Sequence, residues 1–350
     1  MVNREDTSVL SLSGGLDSAV AAGLLKNQGW TVRAVHLQLA GEESQSGRLP
    51  ALAHHLGIEL VERNLTEDFA HLVIDYFVRE YYQGRTPNPC IRCNAAIKFG
   101  RLWEITQGWG INYLATGHYV RAGRLPSGET ALWRGVDQAK DQSYFVHRLR
   151  REVLPHLVFP LGELTKAQVV ALGREMGLEP YLKESESQEI CFIGRTTYKD
   201  FLRSRRPRGR RTEGEIVNRQ GWVLGMHRGL EGYTVGQRHG LGLSAPEPYY
   251  VLEILPETNQ VVVGPRQELL TSGLLADHIN WLIDPPRQPF AATAQIRYRH
   301  PGVACRINPL SVDQAEVVFT QPQAAVTPGQ AVVFYQGERV LGGGWIERRL

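Results

Sequence analysis

Residues 10–20 read LSLSGGLDSAV. An apolar run meets Gly14 and Gly15, then Asp17 and Ser18, then a second apolar run. Glycines let a backbone approach a ligand closely, and the N–H groups of such a loop, with the N-terminus of the next helix, hold an anion. Asp17 would repel a phosphate unless a cation sits between them, which points to Mg²⁺ and its oxygen ligands. The hydroxyls of Ser13 and Ser18 can donate to phosphate oxygens. A bare strand-to-helix turn needs none of these polar groups. The stretch is neither GxGxxG nor a Walker loop, because no Gly-Lys-Ser/Thr follows.

Outward from this loop, the first half of the chain alternates strands and helices. Residues 8–12 read as a short strand and Ser18–Gln28 as a helix that Gly29 ends. Residues 31–39 alternate like a strand; a polar stretch, GEESQSG, and a helix ending at Gly57 follow. Residues 58–63 form a third strand. Thr66 is expected to cap a long helix that sets Phe69, Leu72, Val73, Tyr76 and Phe77 on one face. YLATGHY, residues 113–119, reads as another strand. The pattern predicts an α/β fold with a mainly parallel sheet and helices on both faces. Ligands of such sheets bind at the carboxyl ends of the strands, where SGGLDS and TGHY both lie. Thr165–Gln168 is a capping box whose helix stops near Gly177.

The character changes after residues 203–211, RSRRPRGRR, which hold six arginines in nine positions. That run reads as a solvated linker or as a contact for a polyanion. Beyond it, EGEIVNRQGWVLG, YYVLEILPETNQVVVG and AVVFYQGERVLGGG read as hairpins, which predicts one or two small antiparallel or barrel domains. A domain boundary is expected near residues 203–212. A length of 350 residues supports more than one core, and 42% hydrophobic with 21% charged residues fits a globular rather than a disordered chain. No apolar run approaches the ~20 residues of a membrane span. MVNREDTSVL lacks a cationic stretch followed by an apolar one, so a cytoplasmic location is expected.

Four cysteines carry the remaining chemistry: Cys90, Cys93, Cys191 and Cys305. Structural disulfides are rare in a reducing compartment. Cys305, in the alternating VACRI, is expected to be a packed thiol. In TPNPCIRCNAAIKF, residues 86–99, the prolines favour an extended approach and a helix start at or just after Cys90. A thiol in that first turn, near Arg92 and Lys98, is expected to be more acidic than a free one. SESQEICFI, residues 185–193, places Cys191 in a loop-to-strand setting, where a buried small apolar residue is the other reading.

SGGLDS resembles the pyrophosphate loop of the ATP pyrophosphatase superfamily, whose members adenylate a substrate oxygen and release pyrophosphate. TPNPxxxCNxxIKF, TGHY, KDQSYF, SQEICFI, GQRHGLGL, IRY and PGQAVVFY…LGGG join it in order along nearly the whole chain. Together they resemble the tRNA 2-thiouridylases of the MnmA type. The resemblance implies an ATP pyrophosphatase domain over residues 1–203, a small β-rich central domain over 204–270 and a tRNA-contacting β-barrel over 271–350. It implies a tRNA-uridine 2-sulfurtransferase that uses ATP with Mg²⁺. ATP would adenylate the C2 carbonyl oxygen of the wobble uridine of Lys, Glu and Gln tRNAs. Sulfur transfer would then give 2-thiouridine, AMP and pyrophosphate.

By the same resemblance, Cys191 accepts sulfur as a persulfide from a cysteine desulfurase or sulfur-relay protein. Cys93 frees it, with a transient Cys93–Cys191 disulfide. Ser11, Leu12, Ser13, Gly14, Gly15, Leu16, Asp17, Ser18, Leu37 and Gly117 line the nucleotide. Asn88, Pro89 and Cys90 meet the target base, while His118, Lys140, Asp141, Gln142, Arg297, Tyr298 and Gln330 contact tRNA. The commoner family pattern has aspartate where this chain has Cys90. Either Cys90 is a local substitution beside an unchanged persulfide route, or Cys90, Cys93 and Cys191 hold a four-iron four-sulfur cluster. Soft thiolates suit such a cluster.

Overall fold

The computed structural model describes residues 7–39, 47–181, 190–194, 196–206, 209, 213–244 and 246–350. The chain folds as two compact units. The first comprises residues up to Val73, Cys90–Gly194 and Glu338–Val340; the second comprises Ile74–Pro89, Arg195–Gly337 and Leu341–Leu350.

The first unit is built on β1 (Thr7–Ser11), α1 (Leu16–Asn27), β2 (Thr31–Gln38), α2 (Arg48–Leu56), β3 (Glu59–Asn64), β4 (Tyr113–Ala115) and β7 (Leu157–Val158). The sheet runs β3-β2-β1-β4-β7 and every pair in it is parallel. Leu10 of the central β1 lies opposite both Ala34 and Ala115, so β1 is flanked on both edges and buried through its middle. That arrangement suits a short continuous apolar run. A hairpin, β5 (Val120–Arg124) with β6 (Thr130–Arg134), and α3 (Lys166–Glu175) complete the part that matters for the site.

α1 packs on α3 through small residues. A Cβ at Gly173 would come within 2.5 Å of Leu16 Cδ1, so glycine sets this approach. The core beneath holds Leu10, Leu12, Val20, Leu25, Leu52, Leu161 and Val169, all essentially inaccessible. Each such side chain contributes about 1.5–3 kcal/mol of burial free energy. The predicted capping box is present in full: Thr165 accepts from the Gln168 N–H, and the Gln168 side chain accepts from the Thr165 N–H. Gly57 and Gly177 follow their helices with φ of +60° and +64°.

Two helix expectations need correction. Leu65, not Thr66, is the N-cap, and the Asn64 side chain accepts the Thr66 N–H at 2.9 Å. The helix then widens into a π turn over Ala70–Ile74 before continuing as Asp75–Tyr82. Wider turns rotate the downstream face, so Ile74 joins Phe69, Val73, Tyr76 and Phe77 in burial while Leu72 is only half-buried. The strand predicted over YLATGHY stops at Ala115, leaving Thr116–Tyr119 as a loop.

In the second unit, β8 (Gly214–Val217), β9 (Val223–His227), β10 (Tyr250–Leu255) and β11 (Gln260–Gly264) form a sheet ordered β10-β11-β8-β9. Six further strands are β12 (Leu270–Trp281), β13 (Phe290–Gln295), β14 (Val303–Pro309), β15 (Ala315–Ala324), β16 (Ala331–Gln336) and β17 (Arg339–Arg349). They run β12-β15-β14-β13-β16-β17, and β12 pairs with β17 to close an antiparallel barrel. The three predicted hairpins are β8–β9, β10–β11 and β16–β17. Cys305 is the packed thiol expected of it: buried on β14, with Sγ donating to the Ala292 carbonyl at 3.4 Å.

The arginine run divides. Arg203 pairs with Asp200 at 3.4 Å, Arg205 lies over the Phe201 ring at 4.7 Å, and Arg206 bonds the buried Glu231 at 2.5 Å. Arg206 is therefore a packing residue rather than a solvated or polyanion-facing one, because a buried carboxylate requires a partner. Arg208, Arg210 and Arg211 lie outside the described residues, as do 41–46 of the polar stretch and 185–189 of SESQEICFI. Among the described residues no helix is long and apolar enough to cross a membrane.

Candidate active site

The glycine loop leaves β1 at Ser11 and enters α1 at Leu16. Its start is tied to the sheet: the Leu12 N–H donates to Val35 O at 2.9 Å, and His36 Nδ1 donates to Leu12 O at 3.1 Å. Gly14 adopts φ +78°, a conformation that L side chains rarely take. Ser18 is buried, and its hydroxyl donates to Gly15 O at 3.0 Å. With its proton spent there, Ser18 Oγ accepts from the Ser13 N–H at 3.1 Å, and from Ser13 Oγ, also at 3.1 Å, until that hydroxyl turns to a stronger acceptor. Ser18 thus braces the loop, while the exposed Ser13 is the hydroxyl available to a phosphate.

Gly117 closes the cradle from the next strand end. A Cβ there would lie 2.9 Å from Asp17 C and Ser18 N. The structure so gathers Ser11–Ser18 and Gly117 at the carboxyl edge of the sheet, and Leu37 lies on the adjoining β2. Asp17 is not left facing an anion alone. Its Oδ1 accepts from Lys166 Nζ at 2.7 Å and from Tyr119 OH at 2.8 Å. Exposed hydroxyl, helix N-terminus, carboxylate and ammonium are the donor set that a magnesium-bound triphosphate requires.

The thiols lie on a second helix start. Pro89–Cys93 is helical, one residue earlier than expected, and continues as a π-helix over Asn94–Arg101. A Cβ at Gly100 would sit 2.9 Å from Ala95 O, so the widened turn depends on glycine. The buried Asn94 anchors this helix by donating from Nδ2 to Phe145 O at 3.2 Å, and Arg92 Nε donates to Leu72 O at 3.1 Å. Cys90 is exposed and Cys93 buried.

The expected acidic thiol is not found. Burial pushes Cys93 up to about 12, against a smaller opposing pull from Lys98, and the neighbouring Cys191 and Cys90 push the same way. Cys90 is raised as well: the residue reaches solvent, but the protein packed around its sulfur still outweighs the pull of Lys98. Desolvation outweighs both the nearby cation and a short helix dipole. Cys191 is exposed in a turn over Cys191–Gly194 rather than entering a strand. Phe192 and Ile193 are buried beneath it, Phe192 edge-on to Phe69 at 5.8 Å. Among the described residues no group of three or more His, Cys, Asp or Glu is arranged to hold a metal ion.

The remaining expected contacts fall in three settings. In the first unit, His118 is buried beside Phe99 and Phe159, bonds Thr116 Oγ1 at 2.8 Å, and is pushed by burial down to about 3. Asp141 is buried and accepts from Arg134, Gly135 N, Ser143 N and Ser143 Oγ. Gln142 Oε1 takes the Tyr119 N–H at 2.9 Å. Asp141 and Gln142 thus shape the loop on which the half-buried Lys140 sits. In the second unit, the Thr86 N–H donates to Pro328 O and Gln330 Nε2 donates to Thr86 O, both at 2.8 Å, which anchors the stretch leading to the half-buried Asn88 and the buried Pro89. On the barrel, Arg297 is exposed and Tyr298 half-buried; Gln295 Nε2 holds their turn through Tyr298 O at 2.6 Å. Sequence reasoning passed over Lys166, Tyr119, Asn94, His36 and Gln295. The signals for two were at hand: Tyr119 ends TGHY, and Lys166 follows the capping threonine.

The family model described as the tRNA methyl transferase HUP domain matches residues 6–195. The tRNA methyl transferase PRC-barrel domain matches 199–265 and the aminomethyltransferase beta-barrel domain 271–346. The tRNA-specific 2-thiouridylase MnmA of Geotalea uraniireducens is 45% identical over 99% of this chain and 96% of its own. That of Carboxydothermus hydrogenoformans is 44% identical over 98% of each. Among solved structures, NMN synthetase from Francisella tularensis is 22% identical with a TM-score of 0.36, covering 55% of this chain and 71% of that one. On full-length identity to these curated relatives, the chain belongs to the tRNA-specific 2-thiouridylase MnmA family.

Proposed function

We propose that this protein thiolates tRNA at C2 of the wobble uridine of Lys, Glu and Gln tRNAs, using ATP with Mg²⁺. The observation that carries this is the presence in one unit of the glycine loop and of two thiols, Cys93 and Cys191, close enough for their charges to interact. A C2 carbonyl oxygen is a poor leaving group, so it must first be activated. The uridine O2 attacks the α-phosphorus of ATP and pyrophosphate leaves with the bonding pair. The terminal sulfur of a Cys191 persulfide then attacks C2, and the C2–O bond breaks to release AMP. Cys93 attacks Cys191 Sγ, cleaving the persulfide S–S bond and forming a Cys93–Cys191 disulfide, which a dithiol reductant reopens.

The exposed Cys191 suits loading by a protein sulfur donor, a desulfurase or relay protein. The buried Cys93, held as a neutral thiol, resists oxidation until that step. With domain limits near residues 203 and 270, this chemistry belongs to the first segment. Arg297 and Tyr298 on the barrel, with Lys140 on the catalytic segment, serve as tRNA contacts, and the site of action is the cytoplasm.

The test is thiolation of tRNA by the purified chain with ATP and a persulfide donor. Pyrophosphate release should depend on tRNA, and Cys93→Ala and Cys191→Ala should each abolish thiolation. Persistent thiolation in either variant sinks these roles. Iron and acid-labile sulfide near stoichiometric in protein purified without oxygen, and lost in Cys90→Asp, would replace the persulfide route with a cluster.

A further inference from the structure

Three segments far apart in sequence converge on one oxygen atom. Lys166 Nζ and Tyr119 OH both bond Asp17 Oδ1, at 2.7 and 2.8 Å, in the first turn of α1. Both partners are held in place from behind. The Lys166 N–H donates to Asp137 Oδ2 at 2.8 Å, and the other Asp137 oxygen accepts from Ala139 and Lys140 N–H groups. Tyr119 is buried, and its main chain is bonded on both sides by Gln142. A part-exposed ion pair contributes little to stability, so fold maintenance alone does not account for this much support. The pair stands beside a loop shaped for phosphates and carries no net charge.

We propose that Lys166 is a pyrophosphate-binding residue and that its bond to Asp17 is exchangeable. This deepens the adenylating role above and rests on it. A magnesium ion arriving with ATP takes carboxylate oxygens readily and would supply charge neutralisation there. Lys166, released from Asp17, reaches the β- and γ-phosphates. As the α-phosphorus bond to the bridging oxygen breaks, the electron pair leaves with pyrophosphate, and the protonated Lys166 balances that charge without giving up its proton. Tyr119 is a positioning residue: its hydroxyl fixes the Asp17 carboxylate while the cation beside it changes.

The test needs neither tRNA nor a sulfur donor, so its outcome is separate from that of the thiolation assay. Calorimetry on the full chain measures magnesium pyrophosphate and AMP. Lys166→Met should bind magnesium pyrophosphate at least tenfold more weakly and AMP within twofold of wild type, while Lys166→Arg stays within a few-fold for both. The same Lys166→Met loss should persist in an Asp17→Asn background. Loss that vanishes there means that Lys166 acts only by neutralising Asp17, which overturns the proposal, as does a parallel fall in AMP affinity. Tyr119→Phe should raise the Mg²⁺ concentration for half-maximal pyrophosphate binding by a few-fold, with AMP unaffected; an unchanged Mg²⁺ requirement removes its positioning role.

Discussion

Two helices of this protein begin beside the chemistry, α1 at the glycine loop and the helix that opens at Pro89, and they treat charge in opposite ways. At α1 the loop is open to solvent through Ser13, and a carboxylate stands ion-paired with an ammonium. At the other helix Cys93 is 9% exposed and is pushed up to about 12 from an ordinary 9.0. The same rule, a helix start with a cation nearby, predicts a stabilised anion at both. A helix dipole contributes about 0.3–1 kcal/mol, whereas a three-unit shift amounts to about 4 kcal/mol. Solvation therefore decides, and the opening turn of a helix favours an anion only where water or a fixed partner reaches it.

The largest test of that contrast is thiol reactivity. At pH 8 a shift from 9 to 12 lowers the thiolate fraction by about 10³, while the rise in intrinsic nucleophilicity recovers about 10- to 30-fold. Iodoacetamide should modify Cys93 about 10²-fold more slowly than an unstructured thiol, and more slowly than the exposed Cys191, as read by peptide mass spectrometry. Equal labelling of the two would break the comparison.

Next is Gly117→Ala. The new methyl would press on main-chain atoms of Asp17 and Ser18, which cannot swing aside. Overpacking of this kind costs about 1–3 kcal/mol, so magnesium ATP should bind about 30-fold more weakly. An affinity within twofold of wild type would mean that the cradle is not where ATP sits.

The same physics explains what the sequence could and could not reveal. Gly14–Ser18, the capping box at Thr165 and the three hairpins are local, because turn chemistry and alternation are written in adjacent residues. The π turns at Ala70–Ile74 and Asn94–Arg101 were not foreseen, since they depend on how the widened helix packs. Lys166, Tyr119 and Asp17 are separated by more than a hundred residues from one end to the other, so only folding makes them a site. Arg206 belongs to a run that read as a solvated linker or polyanion contact, and its bond to the buried Glu231, far off in sequence, is what no local pattern could show.

A third test uses the buried imidazoles. Burial pushes His118 and His147 both down to about 3, so the folded chain keeps them neutral while the unfolded chain protonates them near 6.5. Their contribution is complete above pH 6.5 and is lost as pH falls toward 3. Each should lower the unfolding free energy by about 1 kcal/mol between pH 6.5 and 5.5, because half of the unfolded imidazoles are already protonated at the upper value. Urea titrations at the two pH values check this, and His118→Gln should remove about 1 kcal/mol of the change, leaving the share of His147 and of His227 and His300, which burial also lowers. A stability unchanged across that interval would contradict their burial as neutral groups.

The smallest expected effect isolates the cation at the thiol site. Lys98 opposes burial at Cys90 and at Cys93, and it also disfavours a proton on His118. Lys98→Met keeps the length of the side chain and removes the charge. The thiols should then become still less acidic, and Cys93 alkylation at pH 8 should slow by a further few-fold, while Cys305, buried in the other unit, is unaffected. If Cys93 and Cys305 slow together, the variant has loosened or tightened the fold at large. If neither changes, Lys98 is too well solvated to influence the thiols, and burial alone sets the difference between the two helix starts.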